Sequence, residues 1–224
     1  MWVFPLTAAA VSGVFCALLL RSWRARPRPH ALAWGVALAM FALASGAAAY
    51  GQLQGWSPAA FRTYYLFGAI LNVPVLAVGT VYLLGPRALA HALAALTVVA
   101  GSWATVVVLG TDISSGALDI GGIPAARDVV SDDVRTISRI YSYAGFAIVA
   151  GGAILSAARA SRSGEERLKT LAVGNGLIAL GSAIVAAAGA FARYGRGSIF
   201  AVGLAAGVSV MFLGFLRARP RAAP

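Results

Sequence analysis

The chain has 224 residues, of which 60% are hydrophobic and only 11% charged, with a formal net charge of +11. A soluble domain carries about 25% charged residues, so this composition excludes a globular surface covered by water and makes a lipid bilayer the relevant solvent. The basic residues lie in short connections and at segment ends, which argues against a nucleic-acid-binding face.

Seven apolar segments approach or exceed the roughly 20 residues needed to cross a hydrocarbon core. They are predicted at residues 2–20, 31–50, 58–84, 87–110, 132–158, 168–192 and 197–216. All are expected to be α-helical, because lipid satisfies no backbone hydrogen bonds. The predicted fold is therefore all-α: a polytopic membrane protein forming one seven-helix bundle over residues 1–224.

The first segment holds the single cysteine, Cys16, so no disulfide forms within the chain. It lacks a basic region before the apolar run and a small-residue cleavage site after it. It reads as a retained span with Met1 outside. The four arginines Arg21, Arg24, Arg26 and Arg28 follow on its C-terminal side. Ser57-Pro58 supplies an N-cap and a proline at the first helical position of the third segment. Gly85-Pro86 ends that segment and opens the fourth in a tight hairpin. Ser131, Asp132 and Asp133 place a cap and negative charge at the positive end of the fifth helix dipole. The arginine-rich pentapeptide at 24–28 recurs at 217–221, each copy following a span. It reads as a topology lock or as a contact for anionic lipids at the cytoplasmic face.

Orientation follows from the connections. One side carries twelve basic residues and the other six, and the richer side is expected in the cytoplasm of a bacterial plasma membrane. Five of the seven acids fall in the outer segment at 111–137.

No Asp, Glu, Lys or Arg lies inside a span away from its boundaries, which disfavours a pump or an ion-coupled transporter. The last span has no lysine to hold retinal. The histidines His30 and His91 sit near the cytoplasmic ends of the second and fourth segments. They read either as interfacial helix-end residues or as two ligands to a haem iron; no spacing supports zinc, and no cofactor is assigned.

Asn72 falls near the bilayer midplane, two residues before Pro74, which kinks the third helix. An amide beside a kink there either opens a small polar pocket or forms an interhelical hydrogen bond. Asn175, between Gly174 and Gly176, is a second buried amide. Gly203 and Gly207 form Gly-x-x-x-Gly on the seventh segment, and the sixth carries Ser182, Ala186 and Ala190 at the same spacing, a pattern of close helix packing within the chain. At the outer rim gather Tyr50, Trp56, Arg62, Tyr64, Tyr65, Arg139, Tyr141, Tyr143, Arg193 and Tyr194. They form either an interfacial aromatic belt or a vestibule for an anionic molecule with an aromatic or apolar body. The candidate ligand-binding residues are thus Arg62, Tyr64, Tyr65, Asn72, Arg139, Tyr143, Asn175 and Arg193, with no catalytic or metal-binding set.

Tyr-Tyr-Leu-Phe-Gly-Ala at 64–69 and the stretch from Gly174-Asn175-Gly176 to Gly214-Phe215-Leu216-Arg217 resemble small seven-span membrane proteins of actinobacteria. The resemblance implies the span arrangement and brings no activity with it. The arrangement is also similar to seven-helix sensor regions, here with eight residues after the last predicted span and no expected output domain. The readings left open are a non-enzymatic bundle binding a small molecule, a lipid or a membrane partner, a transporter of a neutral or aromatic solute, and a membrane haem or redox protein.

Overall fold

A computed structural model describes residues 1–118, 122–161, 166–193 and 197–218, and among them the fold is all-α with no strand. The long helices are α1 (Val3–Ala25), α2 (Pro29–Gln54), α3 (Pro58–Leu84), α4 (Arg87–Gly110), α5 (Asp132–Ser161), α6 (Glu166–Arg193) and α7 (Gly197–Ala218). Among the described residues, six of these are long and apolar enough to cross a membrane: α1 to α5 and α7. In α6 the apolar stretch is shorter, Gly176–Gly189.

The sequence signals act where expected. Ser57 Oγ accepts from the Ala60 N–H at 3.1 Å, with Pro58 at the first helical position of α3. The Gly85 N–H bonds the Val81 carbonyl at 2.8 Å, closing α3 just before α4 begins. The helices α1 and α2 run further than 2–20 and 31–50, because nothing in Arg21–Ala25 or at Pro29 opposes a helix. Hydroxyls inside the apolar helices bond back to their own backbone, as Ser12 does to Ala8 at 2.7 Å and Ser209 to Ala205 at 2.7 Å. That satisfies the only polar group such a residue adds to the bundle.

The helices α1, α2, α3, α5, α6 and α7 close a ring, each packed on the next and α7 on α1. Helix α4 stands outside the ring against α3 and, more lightly, α5. Close approach depends on glycine at three contacts. A Cβ on Gly145 of α5 would lie 2.9 Å from the Val73 carbonyl carbon and 3.0 Å from the Pro74 nitrogen. One on Gly79 would overlap the Trp34 ring of α2. Between α6 and α7 the fit is backbone to backbone, with Gly181 facing Gly207 and Met211, and Gly214 facing Gly174. The predicted Gly203 and Gly207 spacing thus packs within the chain; its partners on α6 are Gly181, Val185 and Ala188.

At the end of the bundle away from the Gly85–Pro86 hairpin, the connection from α4 to α5 folds back over the helices. It contains a 3-10 turn, Ser115–Leu118, and a short helix, Ala126–Val129. Leu118, Val129 and Val130 bury themselves with Phe61, Tyr65, Leu66, Val134 and Ile137.

Candidate functional site

Helix α3 is broken near its middle. It runs as α-helix over Pro58–Tyr65, as π-helix over Leu66–Leu71, and as α-helix again over Asn72–Leu84. Pro74 lies just beyond the π segment, in the second α segment, where its missing N–H leaves the Ile70 carbonyl, four residues earlier, without the usual helical donor. Across the helix contact, Ser138 and Ser142 of α5 both donate to the adjacent Ala69 carbonyl, at 3.1 and 2.8 Å. Single π turns inside α-helices recur at functional sites. The expected kink is therefore a change of helical register, anchored by α5. Sequence reasoning passed over Ser138 and Ser142. Their signal was a stripe of small residues, Ser138, Ser142, Gly145 and Gly152, at spacings of four, three and seven along one face of α5.

Asn72 begins the second α segment. It is 3% exposed, and its Oδ1 accepts no hydrogen bond. It shares a face of α3 with Gly68, whose Cβ would meet Ala44, and with Gly79, which meets Trp34. The helix positions on either side of Asn72 along this face thus pack against α2.

One turn along α3 toward the hairpin, a cavity of about 70 Å³ lies on the axis of the ring. All six ring helices line it, through Phe15, Trp34 and Leu38, Leu76 to Leu84, Val149 to Ser156, Ile178, and Met211 with Phe215. Helix α4 contributes nothing. Polar groups at the wall are already engaged: the Trp34 indole N–H and the Thr80 hydroxyl both donate to the Leu76 carbonyl at 3.1 Å. An apolar cavity of this kind stays dry and accepts apolar guests. Gly152 keeps it open, since a Cβ there would run into Thr80. Phe15, Trp34 and Met211 were not singled out from sequence, because aromatic and thioether side chains on apolar helices carry no pattern that separates a cavity wall from core.

The outer-rim residues are placed as follows. The Arg62 guanidinium donates through Nη2 to the Thr111 carbonyl at 2.9 Å, just past the end of α4. A cation suits that negative end of a helix dipole. Tyr65 stacks on Phe61 with centroids 5.6 Å apart. Tyr64 packs edge-on against Trp56, Phe61 and Phe200. The Trp56 indole donates to the Gly122 carbonyl at 2.7 Å, pinning the folded connection over this cluster. Arg139 bonds Asp132 at 3.1 Å and Thr136 at 2.9 Å, all on α5, and Tyr143 is exposed on the same helix. Arg62, Tyr64 and Tyr65 are thus brought together under the connection, whereas Arg139 takes different partners. Asn175 and Arg193 lie on α6, and their side chains fall outside the described residues, as does Tyr194.

The two histidines have separate settings. His30 meets Trp34 edge-on at 5.4 Å on α2. His91 on α4 shares a hydrogen bond of 2.9 Å with the Tyr82 hydroxyl of α3. Helices α2 and α4 pack on different sides of α3. Among the described residues, no group of three or more His, Cys, Asp or Glu is arranged to hold a metal. No family model, curated protein or solved structure matches this chain.

Proposed function

We propose that this is a single-domain, seven-span, non-enzymatic protein of a bacterial plasma membrane that binds a small apolar or amphiphilic molecule on the axis of its helix ring. The observation that carries the reading is the cavity itself: it is apolar, and every ring helix lines it. Counting α6 as a span is supported by its pairing with α7. Contacts between them run from Gly174 with Gly214 to Ala188 with Gly203, about 20 Å of helix at 1.5 Å per residue. Since α7 is long and apolar enough to cross, a helix lying along it over that length crosses with it.

The twelve basic residues against six then put the hairpin end and the C-terminus in the cytoplasm. A cytoplasm-active reporter fused after Pro224 should be active and a periplasm-active one silent. The reverse result overturns the topology.

Binding is tested by thermal shift with a panel of apolar and amphiphilic compounds. Ala153, which lines the cavity and is buried, is replaced by leucine to fill it. At least one compound should stabilise the wild type, and Ala153→Leu should abolish most of that shift. A panel with no effect on the wild type, or with equal effect on both, removes the reading.

A second reading, transport of a neutral or aromatic solute past Asn72, is favoured by two observations: the Asn72 Oδ1 lacks a donor, and the π segment ends beside it.

A further inference from the structure

We infer that the occupant of the axial cavity is one acyl chain of an anionic phospholipid from the cytoplasmic leaflet, its head group held by Arg87, Arg159 and Arg217. The inference rests on the cavity reading above and goes further by naming the ligand class and the residues that select it.

Shape comes first. The lining spans Leu76 to Leu84 on α3, Val149 to Ser156 on α5 and Met211 to Phe215 on α7. Eight residues of α3 amount to about 12 Å along the axis. Lining residues that follow one another along the helix axis around a void of only about 70 Å³ suit an extended methylene chain better than a fused ring. The wall offers a guest nothing but hydrocarbon and aromatic surface, apart from hydroxyls such as that of Thr80, already bonded to its own helix.

Charge comes second. The lower end of the cavity lies at Leu84, Ser156 and Phe215. Within three residues of these, on three different elements, stand Arg87, Arg159 and Arg217. All three are exposed, and none pairs with an acid among the described residues. Guanidinium groups around the mouth of an apolar tube complement a molecule with a phosphate at one end and a chain at the other. No acid or base lines the tube, so a charged group stays at the mouth while the neutral chain enters.

The test uses wild-type protein in detergent with a phosphatidylglycerol carrying a diazirine midway along one chain. Cross-links are mapped by mass spectrometry. Labelling of ring-interior residues such as Leu76 and Met211 is expected. Unlabelled phosphatidylglycerol should compete at least about tenfold better than phosphatidylcholine with the same chains, a ratio that falls with salt. Inorganic phosphate alone should not compete. The triple variant Arg87→Gln/Arg159→Gln/Arg217→Gln should lose the preference between the two lipids while retaining interior labelling by a neutral diazirine-bearing alkane. Equal competition by the two lipids overturns the head-group assignment. Labelling confined to outward-facing residues such as Leu96 and Val98 of α4 overturns the chain assignment. If the neutral alkane alone labels the interior, the phospholipid is wrong and the cavity reading stands; if neither probe labels it, both fall.

Discussion

Replacing Gly181 with valine should destabilise the protein by about 3 kcal/mol or more, at or beyond the upper end of what overpacking usually costs. A Cβ at this position would lie 2.5 Å from the Gly207 carbonyl oxygen and 2.8 Å from the Met211 amide nitrogen. Both are backbone atoms of α7, so no side chain can swing away to make room. Relief requires α6 and α7 to separate, and the contacts of Gly203 with Ala188, Gly207 with Val185, and Gly214 with Gly174 would open together. In a bilayer, helices associate through such close packing, because lipid tails are as apolar as the side chains and provide no hydrophobic drive. The comparison variant is Gly189→Val on the same helix, where a Cβ would meet nothing within 4 Å. That change should leave stability within about 1 kcal/mol of the wild type, since valine is no worse a helix former than glycine. Unfolding in mixed micelles measures both. Similar losses for the two variants would mean that α6 and α7 are not held at backbone contact.

The ends of α3 and the start of α4 were legible because they have local chemical causes, whereas those of α1 and α2, which lack such signals, were placed short. Ser57 and Pro58 open α3, Gly85 and Pro86 divide α3 from α4, and the apolar runs between them admit only helix in lipid. The packing of Gly203 and Gly207 within the chain was also readable from spacing. The ring was not, because which helix adjoins which is decided by side chains far apart in sequence, such as Trp34 with Gly79. The π segment was half visible: Pro74 announced a break, but the choice between a kink and a register change depended on Ser138 and Ser142, which lie more than 60 residues away. At the outer rim, sequence placed Arg62, Tyr64 and Tyr65 together, since they share one helix. The length of the connection before α5, about 20 residues, already suggested a cover for this site, but not that Leu118, Val129 and Val130 would anchor it. That depends on three apolar residues in a loop finding the Phe61 and Tyr65 rings. The cavity was invisible, because an absence of atoms has no letter in the sequence.

Exchanging Asn72 for leucine should stabilise the protein by about 1–2 kcal/mol, the reverse of the usual effect of changing a buried residue. The Asn72 side chain is 3% exposed, and its Oδ1 accepts no hydrogen bond. A buried polar group without a partner costs about 1–3 kcal/mol in lost solvation, and no bulk water lies at membrane depth to relieve it. Leucine is similar in size and carries no such group. The neighbouring hydroxyls predict the opposite sign. Ser138 and Ser142 both donate across the helix contact to the Ala69 carbonyl. Their joint replacement by alanine should cost about 1 kcal/mol, the scale of interhelical hydrogen bonds in membranes. Thermal melting of the two variants in one detergent reads both signs. The transport reading gives the unpartnered amide a use, as an acceptor for the solute. Under that reading Asn72→Leu melts higher and yet loses uptake of its solute into vesicles, because the acceptor that meets the solute is gone. Higher melting with unchanged uptake would leave Asn72 outside any path. Lower melting would mean that Oδ1 has a donor after all, and the amide would then be a packing residue like the serines beside it.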